Sequence, residues 1–331
     1  MKLSILDQAP ISANQTAQQA LNASLQLAQA GEKLGYTRYW IAEHHDLPGL
    51  ACPAPEVILP YIGANTEKIR IGSGAVLLPH YKPYKMAEVF NLLATLFPNR
   101  IDFGIGRAPG GSAEATNALS DHFLQNVWAF PDKLKDLLHF LYRDFPEGHE
   151  FASLSAAPIP PVSPQPWLLG TSKKSSLLAA ELGLPYVFGQ FMSDSEGETI
   201  IQNYLSSFQA RKQGDKPYVI LTVSAICAET DEKAEEVALS SLIWSLQSSK
   251  GERDKGVPSI LRAKNYPLAA KDHETLNKMR QKVLIGGPKK VYQKLEEIQA
   301  RYQADEIMIV TITHDPKDRL RSYQLLSKAA F

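Results

Sequence analysis

Ile69-Arg-Ile-Gly-Ser-Gly-Ala-Val-Leu-Leu78 and Arg100-Ile-Asp-Phe-Gly-Ile-Gly106 are two apolar runs of strand length. One helical stretch, Tyr84–Leu96, lies between them, with Pro98 beyond its end. Two strands joined through a helix are parallel, because antiparallel neighbours need only a short turn. The same unit recurs toward the N-terminus. Lys2–Leu6 and Arg38–Ala42 read as strands, and Thr16–Leu34 and Pro55–Ala64 as helices. In the first helix Leu21, Leu25, Ala28 and Leu34 can share a face, and Gly35 suits its end. The strands start near Lys2, Arg38, Ile69 and Arg100, 36, 31 and 31 residues apart. The repeat is one of architecture, with no repeated motif.

Toward the C-terminus the spacing loosens. Trp167–Leu169, Tyr186–Phe188, Val219–Ala228 and Glu306–Thr311 read as strands five to eight. Lys173–Leu182, Asp231–Leu246, Pro288–Tyr302 and Lys317–Ser327 read as helices. Ala108–Ser163 reads as a helix plus an inserted loop, and Ser248–Val283 as a lysine- and arginine-rich insertion. Eight alternations favour an α/β fold of the closed (β/α)₈ TIM-barrel type with insertions over an open sheet. We expect one domain over residues 1–331, with residues 248–285 as a candidate mobile lid.

Bulk properties narrow the function. The 331 residues carry 35 lysines and arginines against 35 aspartates and glutamates, so there is no global attraction to nucleic acid or an anionic membrane. Two distant cysteines, Cys52 and Cys227, make neither a disulfide framework nor a zinc set. The N-terminus lacks the apolar core of a signal peptide, and no apolar run approaches the ~20 residues of a membrane span. These features point to a cytoplasmic protein.

In such a barrel the site forms at the carboxyl ends of the strands. Those ends carry Asp7-Gln8, Glu43-His44-His45, Gly74-Ala75, Arg107, Gly170-Thr171-Ser172 and Gly189-Gln190. The two histidines are adjacent, so they point apart and do not chelate one ion. A catalytic or cofactor role for one of them is preferred over a buried structural pair. Gly104-Ile-Gly-Arg-Ala-Pro-Gly110 has GxGxxxG spacing, which departs from the dinucleotide fingerprint. The glycines either make tight turns or let a flat ring approach beside Arg107. Thr171 or Ser172 can cap the next helix, and its free amides can hold an anion.

Leu6-Asp7-Gln8, Trp40-Ile-Ala-Glu-His-His45, Ile71-Gly-Ser-Gly-Ala-Val-Leu-Leu-Pro79, Arg100–Arg107 and Ala304-Asp-Glu-Ile-Met308 together resemble the bacterial luciferase-like family. The match is best with its non-luminous, group one oxidoreductases. Agreement covers Met1–Gly111, Trp167–Phe188 and Leu284–Val310 and is weak between. The resemblance implies a monooxygenase that takes reduced FMN, delivered by a separate NAD(P)H-dependent flavin reductase, and O₂. Oxygen then adds at flavin C4a, and the hydroperoxide oxidises a small organic substrate. It implies His44 as acid/base, Glu43 beside the flavin and a cis Gly74–Ala75 peptide against its ring. Arg107, Thr171, Ser172 and Ser175 match the phosphate binders, and Gln190 a flavin-side position. Luciferase has an acidic residue at Thr171, a cysteine at Gly106 and a tryptophan at Gln190, and these departures argue against light emission. A deazaflavin-dependent oxidoreductase and a non-catalytic flavin-binding partner subunit are the alternatives. The family also implies a homodimer through Ala54–Ala64 and Tyr84–Leu96, with His45 and Glu88 near the interface, and a lid in the 248–285 region.

Overall fold

The computed structural model describes residues 1–194, 196–252 and 256–330. Among them are nine strands, all paired in parallel. They are β1 (Lys2–Asp7), β2 (Arg38–Ile41), β3 (Arg70–Leu77), β4 (Ile101–Gly106), β5 (Gln165–Gly170), β6 (Tyr186–Gly189), β7 (Val219–Cys227), β8 (Val283–Gly286) and β9 (Glu306–Val310). β1 to β7 follow one another round a ring, and β9 joins β7 to β1. The ring therefore closes on the eight strands expected from the sequence. β8 stands outside that expectation. It pairs only with Ser224–Cys227 of β7, beginning where the β7–β9 pairing ends. Four apolar residues directly after a charged helix carry too little alternation to be read as a strand.

The helices form for local reasons. Ala17–Lys33 is opened by a capping box between Thr16 and Gln19. Pro55–Ala64, Pro83–Leu96 and Pro288–Tyr302 each begin with a proline in the first turn, where its missing N–H costs no bond. Gly197–Ser207, before β7, was not foreseen. The segment expected as one helix and a loop holds three helices: Ala113–Leu119, Phe123–Trp128 and Phe130–Tyr142.

The segment expected as a lid also carries ordered elements, although residues 253–255 lie outside the described residues. Ile260–Lys264 and Ala270–Gln281 are helices. Ala263, Tyr266, Leu276 and Met279 pack with Ile243 and Leu246 of the helix Asp231–Ser249. Lys250 pairs with buried Asp272 at 2.6 Å. Val257 is tied to the β1 exit by backbone bonds to Ile11 (2.8 Å) and Ala13 (2.9 Å). The lysines and arginines thus decorate a small apolar cluster that the charge-rich sequence conceals.

Alternation along the strands builds two apolar layers. Leu3, Ile5, Tyr39, Ile41, Ile71 and Phe103 join the cluster between strands and helices. Leu6, Trp40, Trp167, Val187, Ile220 and Met308 fill the barrel's interior. At the strands' amino ends the interior is polar instead. Arg38 meets Asp102 through Nη1 (2.8 Å) and Glu306 through Nε (2.8 Å) and Nη2 (3.0 Å). Arg70 donates to Asp102 at 2.6 Å, and the indoles of Trp40 and Trp167 do so at 3.0 and 3.3 Å. Ser4 and Tyr218 complete the shell of Glu306. Burial works against the Arg38 charge, but Asp102 and Glu306 outweigh it and raise the guanidinium's affinity for its proton.

Removing one member of a buried ion network leaves the rest uncompensated, at about 3–5 kcal/mol. Arg38→Ala is expected to lower unfolding free energy by that amount in a urea titration. A variant as stable as the parent would refute the assignment of Arg38 as the keystone of this layer.

Candidate active site

A cavity of about 540 Å³ opens at the carboxyl ends of the strands. That volume lies in the range of small-molecule and cofactor sites, ~300–1,000 Å³. Seven of the eight ring strands or their exits reach it. Gln8, Glu43 and His44, Gly74 and Ala75, Gly106 and Arg107, Gly170 to Ser172, and Gly189 all line it. Of the expected site residues only Gln190 is not among the lining residues. It begins a short 3₁₀ turn, Gln190–Met192, whose Phe191 and Met192 face the cavity instead.

Each position has a local cause. The Gly74–Ala75 peptide is cis, as the resemblance implied. The β3–β4 register shifts between Ser73 and Val76 at this point, and Gly74 and Ala75 line the cavity there. In residues 104–110, Gly106 and Gly110 both line the cavity, and Gly110, with φ +73°, also makes the turn that only a glycine adopts freely. No helix starts until Ala113, so the segment is not a dinucleotide-binding turn.

Glu43, His44 and His45 lie past the end of β2. His44 reaches the cavity, and its buried Nδ1 has no partner among the described residues. Burial, and then the neighbouring His45, pull its pKa down to about 4. The imidazole is therefore neutral at physiological pH. His45 turns away and holds Glu43 Oε1 at 2.8 Å, while its amide donates to Gly110. The two histidines do point apart. Glu43 also accepts from Tyr81 (2.9 Å) and from the Leu77 amide (3.0 Å). Burial raises its carboxyl's pKa, and these bonds work against that rise. Glu43 thus borders the cavity while tying the β2 exit to the end of β3. Glu88, expected with His45 near a dimer interface, meets Lys85 at 3.4 Å within the chain.

The cavity also carries a cation. Arg107 is exposed, and no carboxylate stands within ion-pair distance of it among the described residues. It shares the cavity with the start of the helix Lys173–Glu181, whose N-cap Ser172 accepts from the Ser175 amide. Ser175 is more occupied than the sequence suggested. Its hydroxyl contacts the Ser172 carbonyl (2.7 Å) and the Tyr186 hydroxyl (3.0 Å). Gly170 is required beside it, because a Cβ there would strike the Ser175 side chain. The Thr171 hydroxyl has no partner among the described residues and lines the cavity.

Two kinds of lining residue were missed. Thr222 comes from β7, and Gln8, at the β1 exit, was named among the strand ends without a role. The Asp7-Gln8 pair gave a signal, but Asp7 is structural, bonded to Arg319 and Tyr39 at 2.8 Å each. Val127 and Phe130 come from the inserted segment, and no sequence signal marked them. Cys52 and Cys227 are buried and unpaired. Among the described residues no cluster of histidine, cysteine and carboxylate groups could hold a metal. No described helix is long and apolar enough to cross a membrane.

The lowered pKa of His44 has a thermodynamic consequence. Between about 6.5 and 4 the unfolded chain binds a proton at this residue and the folded chain does not. Its stabilising effect is therefore fully present above pH 6.5 and is lost as pH falls toward 4. His44→Gln is expected to flatten that part of the stability–pH curve, measured by thermal unfolding. An unchanged slope would show that His44 titrates normally.

The chain matches the luciferase-like monooxygenase family over residues 1–304. It is 42% identical over 326 residues to the uncharacterised protein YceB of Bacillus subtilis, covering 98% of each chain. It is 36% identical to the N-acetyl-S-alkylcysteine monooxygenase of the same organism, covering 99% of this chain and 98% of that one. The crystal structure of apo-MsnO8 superposes with a TM-score of 0.90 at 35% identity, over 99% and 98% of the two chains. The oxygenating constituent of 3,6-diketocamphane monooxygenase from Pseudomonas putida, solved with FMN, has a TM-score of 0.72 at 19% identity, over 99% and 97%, and shares the fold. With its ring of parallel strands and a full-length match of this kind, the chain belongs to the luciferase-like monooxygenase family.

Proposed function

We propose that this protein is an FMN-dependent monooxygenase that uses reduced FMN and O₂ to oxidise a small organic substrate. The observation that carries the reading is one cavity lined by two unlike sets of groups. Arg107 is an uncompensated cation sharing it with the helix N-terminus at Ser172, which suits a phosphate. His44, whose buried Nδ1 lacks a partner among the described residues, lines it with Gly74, Ala75 and Gly106, whose small side chains leave room for a flat ring. The residues present therefore fit FMN. Reduced FMN would supply two electrons, so that one oxygen atom of O₂ enters the substrate and the other leaves as water. A separate NAD(P)H-dependent flavin reductase would provide it.

The chain's own groups would bind and orient. Arg107, the Thr171 hydroxyl and the amides of the Ser172 cap would hold the phosphate. Ser172 and Ser175 would act mainly through the helix end that they fix. Neutral His44 can accept or donate one hydrogen bond at Nδ1, according to tautomer, and so place a proton at the reacting centre. Leu6, Leu77, Leu168, Leu169 and Val187 would keep water from it. The likeness to N-acetyl-S-alkylcysteine monooxygenase supports a thioether as the first substrate to try.

With FMN, a flavin reductase, NADH, labelled O₂ and an N-acetyl-S-alkylcysteine, one labelled oxygen atom is expected in the product. Arg107→Ala should need at least tenfold more FMN, as a charge-assisted contact is worth about 1.5–3 kcal/mol. Unchanged FMN dependence would remove Arg107 from the phosphate site. Oxygen uptake with peroxide alone as product, across thioether, aldehyde, alkane and aromatic substrates, would defeat the monooxygenase reading.

We also propose a homodimer. Val57, Tyr61, Leu92 and Leu96 are exposed on Pro55–Ala64 and Pro83–Leu96, the helices whose outer face the resemblance assigns to pairing. Light scattering at micromolar concentration should give twice the mass of the chain, and a monomer mass would exclude it.

A further inference from the structure

A second cavity, of about 500 Å³, lies at the opposite end of the barrel, at the amino ends of the strands. Its lining includes Lys2, Arg38, Arg70, Arg211, Lys212 and Lys216, and one carboxylate, Asp215. Most of this positive charge could be cancelled by neighbours, so the pairing decides what the cavity can bind. Arg38 and Arg70 are matched by buried Asp102 and Glu306. Arg211 is matched by Asp144 at 2.6 Å. Lys2, Lys212 and Lys216 have no carboxylate within ion-pair distance among the described residues, and Asp215 holds the Lys212 amide. Three uncompensated cations against one carboxylate leave a surplus of two positive charges in one concavity.

The donors are also uncommitted. Arg211 uses only Nη2 toward Asp144 among the described residues, which leaves Nε and Nη1. Lys2 touches only the Tyr218 hydroxyl, at 3.3 Å, and the face of its ring. Arg211 and Lys212 both lie over the Tyr142 ring, at 4.2 and 5.5 Å, which holds their heads at the cavity wall. Such positioning reduces the side-chain entropy lost when an anion is gripped. The floor is Trp167 and Arg38, the underside of the polar layer that plugs the barrel. An anion here would be separated by that layer from the cavity that contains His44 and Arg107.

We propose that this cavity binds a phosphorylated small molecule carrying about two negative charges, a phosphate monoester or a diphosphate. Lys2, Arg211, Lys212 and Lys216 supply the contacts, and the phosphate site beside Arg107 is not involved. Inorganic pyrophosphate is the probe. Calorimetric titration is done on an Arg107→Ala background at low ionic strength, because these exposed charges are screened over ~8 Å at physiological salt. One pyrophosphate per chain is expected. Adding Lys212→Glu and Lys216→Glu should weaken binding at least tenfold while leaving the thermal unfolding midpoint within a few degrees. Raised salt should weaken it as well. No binding to the Arg107→Ala protein, or equal binding to the triple variant, would overturn the proposal. Neither outcome depends on whether the protein oxygenates anything, so the flavin reading stands or falls separately.

Discussion

The barrel depends on how the carboxyl groups of Asp102 and Glu306 are satisfied by protein donors inside it. Both carboxylates are fully buried, on β4 and β9, and the Arg38 guanidinium from β2 spans them. A buried charge is tolerated only when its lone pairs are filled, and here two arginines, two indoles, a serine and a tyrosine fill them. The geometry is shared among strands that are far apart in the chain. Ser4 comes from β1, Arg70 from β3, Trp167 from β5 and Tyr218 from the start of β7. The layer can be satisfied only when the ring is closed in register. A slip of one residue on any of these strands would turn the group toward the helices. The network thus specifies topology more than it adds stability.

The carboxyl ends follow from that register. Once Arg38 is fixed at the start of β2, its exit places Glu43 and His44 at the mouth. Glu43 repeats, on a smaller scale, the strategy of the amino ends. It is a buried carboxylate with each oxygen occupied, and it joins β2, Leu77 of β3 and Tyr81. Of the residues lining the cavity only His44 has a buried side-chain polar atom without a partner among the described residues. An unsatisfied buried atom at a cavity wall is the pattern expected where a ligand completes the structure.

Much of this was legible in the sequence, for identifiable reasons. The first four strands were readable because each is an apolar run bounded by a polar or glycine stop. Adjacent histidines pointing apart could be deduced from backbone geometry alone. The cis peptide and the placing of Arg107, Thr171 and Ser172 at one cavity came from the family pattern. What escaped was non-local. Gln190 neighbours the cavity in sequence, yet a 3₁₀ turn brings Phe191 and Met192 to it instead. The Ser175 hydroxyl looked free until Tyr186 and the Ser172 carbonyl were seen against it. Tyr266, Leu276 and Met279 carry no local signal, because their partners lie on a helix some 30 residues earlier.

Val127 reaches the cavity from the short helix Phe123–Trp128, inserted between β4 and the helix Phe130–Tyr142 that packs on the barrel's core. The barrel's register does not constrain that segment, because it contributes nothing to the closing ring. The wall it forms can therefore change in length and shape while the polar plug, the cis peptide and Arg107 stay as they are. One scaffold could then acquire different appetites by rewriting a single detachable wall, the property of a tool with an interchangeable jaw.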